Sequence, residues 1–159
     1  MKNKELFSLH QGLNQVTNLP GLKFAYAVAK NLNLVISELK LIQKLRDPKL
    51  GYTEYDSKRI ELAKQYADKN EDESPKQENN NFIITGENRV KFDAEIALLQ
   101  AEHQEAIDTH LKQLEEFTEL LEEDCKLEFH KVKLKELPND LNAAQVTAIM
   151  PIIDDSAWE

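Results

Sequence analysis

The sequence predicts a mainly α-helical protein with minor β structure, and three observations support this prediction. Charged residues make up 31 % of the 159 residues and aromatic residues only 7 %, a balance typical of long exposed helices. Apolar residues recur at three- and four-residue spacing across residues 22–45 and 93–125, whereas residues 126–134 alternate with period two. We expect an elongated antiparallel helical hairpin or a three-helix bundle, with a small β-hairpin and a C-terminal strand plus short helix.

Two helices are predicted in the first 45 residues. The first runs from about Asn3, as N-cap, to Val16, because leucines recur at helical spacing. The second runs from about Leu22 to Leu45, and its apolar residues occupy more than one face. Its main stripe is Ala25, Val28, Leu32, Val35, Leu39 and Ile42. We therefore expect it to contact two neighbours, the first helix and the long helix described below.

A third helix is predicted from Asp56 or Ser57 to about Asp68. Pro48 separates it from the second helix, because proline interrupts helical hydrogen bonding. The pattern is compatible with a single kinked helix that includes the second and third helical segments, and with two separate helices.

A polar stretch and a small β-hairpin are predicted next. Residues 69–81 contain no apolar side chain, so we expect an exposed, mobile tip that buries nothing. Residues 82–92 are expected to form the hairpin, with Phe82–Thr85 as one strand and Arg89–Phe92 as the other.

The segment from Asp93 to Cys125 is predicted to be one long amphipathic helix, with Asp93 as its N-cap. One series of seven-residue steps comprises Gln100, Ile107, Leu114 and Leu121, and a second comprises Ile96, His103, His110, Phe117 and Asp124. Together they indicate a coiled-coil-like seam. At about 1.5 Å per residue, the helix would span roughly 50 Å.

The last part of the chain is predicted to form a strand and a short helix. The strand covers Lys126 to Leu134, with a possible bulge where the alternation slips by one residue. Asn142 and Gln145 have the spacing of a capping box, so a helix is expected from there to about Ile153. We expect residues 1–125 and 126–159 to belong to one domain, which ends in a tail with a lone Trp158.

Composition restricts the partners and the location. The formal charge of −9 argues against a primary role in nucleic-acid binding, which needs a basic face. No stretch approaches the roughly 20 apolar residues of a membrane span, so we expect no membrane partner. The single Cys125 rules out an internal disulfide framework and favours a reducing compartment. A cytoplasmic protein is expected.

The residues with reactive side chains do not form a recognisable catalytic or metal-binding pattern. His103 and His110 both fall on the seam, but seven residues separate them, about 10 Å along the axis, too far to share one metal ion. We interpret them as seam residues that set register, with a pH-sensitive interface as the alternative. The carboxylates of residues 115–124 are interpreted as a solvated face. No catalytic residue, metal site or cofactor is predicted.

The order of several segments resembles a known group of proteins. These segments are Leu22–Asn31, Lys58–Lys69, the polar loop that follows, Leu120–Glu123, Phe129–Pro138 and the helix within Ala143–Ile153. The arrangement is similar to that of small, mostly uncharacterised proteins encoded by tailed bacteriophages and prophages. The resemblance covers about residues 20–153, and it implies no active-site residue. The loop of that group often contains a Lys-Asp-Glu-x-Gly turn, whereas Lys69–Ser74 lacks the glycine.

These features predict a non-catalytic interaction protein, specifically a phage virion-assembly or structural accessory protein in the host cytoplasm or the virion. One alternative is an inhibitor of a host defence or regulatory protein, and a further alternative is a small-ligand-binding protein or hydrolase. The expected partner is a second copy or another phage or host protein. We predict that the C-terminal strand is an open edge that mediates this contact, because about 50 Å would separate it from the predicted hairpin. The predicted interaction residues are Leu127, Phe129, Val132, Leu134, His103 and His110.

Overall fold

The structure, a computed structural model, describes residues 1–156 and is mainly α-helical, which confirms the predicted fold class. The helices are α1 (Glu5–Gln15), α2 (Leu22–Arg46), α3 (Leu50–Tyr66), α4 (Gly86–Glu102), α5 (Gln104–Glu122) and α6 (Ala143–Ile149). The strands are β1 (Gln77–Glu78), β2 (Asn81–Phe82), β3 (Val132–Lys133) and β4 (Ile153–Asp154). No helix in this part of the chain is long and apolar enough to cross a membrane. The predicted tail residue Trp158 lies outside the described residues.

The chain divides into two compact units. The terminal unit comprises residues 1–46 and 115–156, and the central unit is Asp47–Leu114. Helix α5 therefore begins in the central unit and ends in the terminal unit. The segment after residue 125 belongs to the same unit as α1 and α2.

The core of the terminal unit lies among α1, α2, α6 and β3. Its fully buried apolar side chains are Leu6, Leu9, Leu13, Val16, Phe24, Val28, Val35, Val132, Ile149 and Ile152. Half-buried Phe117, Leu120 and Leu121 of α5 pack against this core. Four residues of the predicted stripe of α2 are buried, namely Val28, Val35, Leu39 and Ile42. Phe24 and Asn31 are buried as well, whereas Ala25 is exposed and Leu32 is half-buried against the core. The predicted contact between the first two helices is confirmed.

The prediction for the strand from Lys126 to Leu134 is wrong in the length of the strand and in the expectation that it is unpaired. Only β3 is a strand, and it pairs in parallel with β4, Val132 with Ile153 and Lys133 with Asp154. The distance argument considered only strands that precede the long helix, whereas the partner strand follows α6, where the predicted helix meets the predicted tail.

A buried side chain takes the place of a second strand just before β3. The Asn31 side-chain amide donates to the His130 carbonyl oxygen, and the Asn31 side-chain oxygen accepts from the His130 N–H, both at 2.8 Å. Asn31 is fully buried on α2, and these two hydrogen bonds satisfy both polar groups of its side chain. This pairing fixes the extended segment 126–131 against α2.

The first four residues close the C-terminal end of α5. Asn3 was predicted to be the N-cap of α1, but its side-chain amide donates to the Leu120 carbonyl oxygen at 2.9 Å. The Asn3 and Lys4 backbone N–H groups donate to the carbonyl oxygens of Glu123 and Leu121, each at 3.0 Å. The last carbonyls of a helix have no partner within the helix, and here a second chain segment satisfies them.

The central unit contains α3 and α4 packed side by side in opposite directions. Tyr66, at the end of α3, donates its hydroxyl to Glu95 at 2.6 Å, whereas Lys58 lies beside Glu102. Helix α3 begins at Leu50, earlier than predicted, and Asp56 forms an ion pair with Arg59 within the helix instead of capping it. Residues between Arg46 and Leu50 are not helical, so α2 and α3 are separate helices.

The β-hairpin predicted at 82–92 is also wrong. Helix α4 begins at Gly86, so Val90 and Phe92 are helical and Asp93 is an interior residue that pairs with Arg89. The hairpin lies earlier, where β1 and β2 flank Asn79 and Asn80, and both asparagines have positive φ angles. Asparagine tolerates this conformation, and so it can supply a tight turn without glycine. The tip at 69–81 is largely exposed, as predicted, and its mobility stays a prediction.

The predicted long helix is two helices that meet at His103. The His103 N–H donates to the Leu99 carbonyl oxygen at 3.1 Å, and the Ile107 N–H donates to the His103 carbonyl oxygen at 3.0 Å. The backbone hydrogen-bond pattern therefore continues across His103, whose φ and ψ of −106° and 17° depart from helical values.

Candidate functional site

Four of the six predicted interaction residues belong to the core of the terminal unit. Val132 is fully buried, and Leu127, Phe129 and Leu134 are half-buried against the same core. Their alternation reflects packing onto α2 and α6 rather than an edge open to a partner. A contact surface for a second protein is therefore not expected at these residues.

His103 and His110 lie in the central unit, at two ends of a row of aromatic rings. The His110 ring stacks on Tyr52 with 3.8 Å between ring centroids, and the His103 ring lies 5.9 Å from Tyr55. Tyr52 and Tyr55 lie 5.8 Å apart, which completes the row. The sequence placed both histidines correctly on one face, but that face packs against α3.

A cleft of about 330 Å³ opens beside this row. Lys49, Gly51, Tyr52 and Thr109 contribute to its lining together with both histidines. His103 Nε2 lies 3.1 Å from Lys58 Nζ, and His110 Nδ1 is buried without a hydrogen-bond partner among the described residues. Within residues 1–156, no group of three histidine, cysteine or acidic side chains is arranged to hold a metal ion.

Two further clefts lie on the surface. In the terminal unit, Leu22, Tyr26, Ala27 and His130 line an apolar cleft of about 360 Å³. In the central unit, a cleft of about 420 Å³ lies beneath the hairpin, and Arg59, Arg89, Phe82 and Phe92 line it. Both arginines in the second cleft already pair with aspartates of their own helices, which neutralises their charge locally.

One side of α4, opposite its buried residue Leu99, is an exposed apolar stripe of the central unit. It consists of Val90, Ala94, Ala97, Leu98 and Ala101, and we call it the outer face of α4. Val90 and Leu98 are each 72 % exposed, and the three alanines are exposed as well. Residues 90, 94, 97 and 101 have the four- and three-residue spacing of a helix-packing seam.

Sequence reasoning missed the outer face of α4, although a signal was present. Phe92, Ile96 and Leu99 form a first apolar stripe, which packs toward α3 and is partly or fully buried. The outer face is a second stripe on the opposite side of the same helix. The sequence analysis assigned Val90 and Phe92 to a strand and the residues from Asp93 onward to a helix. The second stripe was therefore divided between a predicted strand and a predicted helix.

Ion pairs and hydrogen bonds shift several exposed titratable groups. The side-chain hydrogen bond from Lys2 lowers the pKa of Asp124 and raises the pKa of Lys2, and their charged atoms lie 2.9 Å apart. The hydrogen bond from Lys23 lowers the pKa of Glu136 in the same way. The bond from Tyr66 to Glu95 raises the pKa of the tyrosine hydroxyl. The Lys2 and Lys23 pairs join segments that are distant in sequence.

Comparison with known proteins finds no matching family model, curated protein or solved structure.

Proposed function

We propose that the protein is a non-catalytic interaction protein that binds its partner through the outer face of α4. The observation that supports this is the exposure of Val90 and Leu98 on one continuous apolar stripe with three alanines. Contiguous exposed apolar surface is unfavourable in water and marks interaction sites in proteins that are stable alone. Single exposed leucines are common on protein surfaces and need no partner to explain them. Several exposed apolar residues along one side of a helix, at the spacing of a helix-packing seam, are not accounted for by that rule.

The surroundings of the histidines also favour binding over turnover. Both imidazole rings pack against tyrosine rings, and His103 is additionally in contact with Lys58. These contacts give both histidines a packing role at the α3 interface.

The partner and setting follow from the resemblance to phage proteins. We propose a virion-assembly or structural accessory protein that forms coiled-coil-like oligomers, with itself or another phage protein, in the host cytoplasm or the virion. The finer fold expectation, an elongated antiparallel hairpin or a three-helix bundle, belongs to this proposal. The main alternative is an inhibitor that presents the same face to a host defence or regulatory protein.

A small-ligand-binding protein or hydrolase is the third candidate. The cleft beside His110 favours it, because His110 Nδ1 is buried there without a hydrogen-bond partner among the described residues. A ligand that donates to or accepts from this nitrogen would raise the melting temperature. Such an increase, lost in His110→Phe, would support this candidate over the other two.

The proposed function is tested with two leucine variants of similar exposure. Leu98→Glu places a charge on the outer face of α4, whereas Leu50→Glu places the same charge on α3, where Leu50 is 74 % exposed. We expect only Leu98→Glu to abolish co-purification with phage particles or with a host protein, and both variants to keep the wild-type melting temperature. Co-purification with particles supports the assembly role, and capture of one host protein supports the inhibitor. Loss of binding in both variants or in neither would contradict the proposal.

A further inference from the structure

We infer that the cleft beside Tyr52 and His110 binds a small zwitterion, namely a free α-amino acid with an aromatic side chain. All residues that line this cleft belong to the central unit. The inference goes beyond the interaction role, because it concerns a site other than the outer face of α4. It also gives a ligand class to the cleft that favours the third candidate function.

The size of the cleft suits one small molecule. Gly51 of α3 and Ala106 of α5 line it where the two helices approach closely, since a Cβ added to Gly51 would lie 3.3 Å from the Ala106 Cβ. The larger Tyr52 and His110 line it as well. Its volume of about 330 Å³ is at the low end of ligand pockets, which hold about 300–1,000 Å³. A molecule the size of one amino acid fits that volume.

The charged residues of the cleft are divided between its two ends. Gln113 donates to the carbonyl oxygen of Asp47 at 2.8 Å, so the start of α3, with Lys49, lies at the Gln113 end of the cleft. Glu102 and Glu105 precede Gln113 by two to three helical turns and line the opposite end. The cleft therefore has one basic end and one acidic end.

Lys49 and Glu105 are the two charges that a ligand can reach. Both side chains are exposed, and neither forms an ion pair or a side-chain hydrogen bond within residues 1–156. Glu102, by contrast, pairs with Lys58 at 3.5 Å. A ligand ammonium group can donate to Glu105 while the ligand carboxylate accepts from Lys49. Hydrogen bonds between charged groups are stronger than those between neutral groups.

An unsatisfied nitrogen at the basic end also points to a ligand. His110 Nδ1 is buried without a hydrogen-bond partner in the described part of the chain, although the large majority of buried polar atoms have one. In the tautomer with a proton on this nitrogen, it donates to the same carboxylate as Lys49. Thr109, which follows Glu105 by one turn, or about 6 Å, adds a hydroxyl donor within the span of one α-amino acid.

The rings that line the cleft favour an aromatic ligand side chain. Tyr52 and His110 stack on each other with 3.8 Å between ring centroids, and both rings are only half-buried. Aromatic rings pack well edge to face or with an offset against other rings. L-phenylalanine carries the ammonium group, the carboxylate and the ring, so it is the probe.

Matched ligands test the need for both charges. Isothermal titration calorimetry compares L-phenylalanine with 2-phenylethylamine, which lacks the carboxylate, and with 3-phenylpropanoate, which lacks the ammonium group. We expect L-phenylalanine to bind at least about tenfold more tightly than either analogue and to raise the melting temperature. No binding of L-phenylalanine up to about 10 mM, or equal binding of the three ligands, would overturn the inference.

Charge-neutral variants test which residue holds which group. Glu105→Gln is expected to weaken binding of L-phenylalanine and 2-phenylethylamine about tenfold and to leave 3-phenylpropanoate unchanged. Lys49→Gln is expected to weaken L-phenylalanine and 3-phenylpropanoate by a similar factor and to leave 2-phenylethylamine unchanged. Glu54→Gln and Lys64→Gln, at exposed positions on α3 outside the cleft, are the matched controls. Cleft variants that bind all three ligands as these controls do would overturn the assigned contacts.

The two proposals fail in distinguishable ways. Leu98→Glu should bind L-phenylalanine as the wild type does, and Glu105→Gln should still capture the protein partner. If L-phenylalanine does not bind while Leu98→Glu abolishes capture, the ligand site is wrong and the interaction role stands. If L-phenylalanine binds with the expected pattern while Leu98→Glu leaves capture unchanged, the interaction role is wrong and the ligand site stands.

Discussion

Single polar residues determine how the chain segments of the terminal unit are joined. Asn31 is the clearest case, because its side chain satisfies both backbone groups of His130 in a fully buried position. Asn3 has a similar role at the end of α5, where its side chain bonds to the Leu120 carbonyl oxygen. Both are asparagines, whose amide donates and accepts at once. These two asparagines explain how the extended segment 126–131 and the N-terminus are held in place although neither forms a regular β-sheet.

Removing the Asn31 amide tests this role. Asn31→Ala removes both hydrogen bonds to the His130 backbone, and a typical intramolecular hydrogen bond contributes about 0.5–1.5 kcal/mol. We expect the free energy of unfolding to fall by about 1–3 kcal/mol in urea denaturation. Asn33→Ala, at an exposed position on the same helix, is the control and should be nearly neutral. Equal effects of the two substitutions would refute the role of Asn31.

The Lys2–Asp124 ion pair makes stability depend on pH at the residue scale. The folded pKa of Asp124 is depressed, so its contribution is present above the unfolded pKa and is lost as the pH falls through the folded value. The folded pKa of Lys2 is raised, so its contribution is lost as the pH rises through that value. Asp124→Asn should therefore lower the melting temperature slightly at neutral pH and not at all in strong acid. Glu119→Gln, at an exposed position on α5, should show no such pH-dependent difference.

At the scale of elements, helix contacts depend on small residues where backbones approach closely. Helix α1 crosses α6 at Gly12, where an added Cβ would lie 2.7 Å from Ala148 Cβ and 2.8 Å from the Ala148 carbonyl oxygen. The second of these is a backbone atom, so it cannot move without displacing α6. Gly12 is therefore required by the close approach of the two helices.

Gly12→Ala should destabilise the protein although alanine favours helix. The gain in helix propensity is at most about 1 kcal/mol, and overpacking costs about 1–3 kcal/mol, so we expect a net loss of up to about 2 kcal/mol. Gly51→Ala is the matched control on α3, because its added Cβ meets only the Ala106 methyl at 3.3 Å. That variant should keep or raise the wild-type stability. Thermal unfolding of both variants measures the difference, and a stabilised Gly12→Ala would contradict the packing described.

Some elements could be predicted from the sequence because their signals are local. The capping box of Asn142 and Gln145 is confirmed, with both of its hydrogen bonds present. The second helix was placed to within one residue, since its apolar spacing runs uninterrupted from Ala25 to Ile42. In both cases the interactions that form the element lie within a few residues of each other.

Other elements could not be predicted because their partners are distant or ambiguous. The strand at Val132 pairs with Ile153. The segment just before this strand is held by the hydrogen bonds between His130 and Asn31, which are 99 residues apart in the sequence. Val90 and Phe92 are spaced by two, and that short pattern fits a strand as well as two faces of one helix. The outer face of α4 became recognisable only once the helix was known to begin at Gly86.

At the scale of the whole molecule, the two units differ in what they leave exposed. The terminal unit buries its apolar helix faces in one core around Phe24 and Leu6, whereas the central unit buries only Tyr55, Ala67 and Leu99. The outer face of α4 belongs to this less buried unit. A partner on this face would bury Val90 and Leu98, which are each 72 % exposed.

The most direct measurement of the interaction role is carbene footprinting of the exposed leucines and valine. The protein is labelled at low concentration, at high concentration and in the presence of any captured partner, and modification is quantified at Val90, Leu98 and Leu50. We expect labelling of Val90 and Leu98 to fall when a second copy or another partner covers the outer face of α4, while Leu50 keeps its labelling. Labelling of Val90 and Leu98 that stays as high as that of Leu50 under every condition would contradict the account.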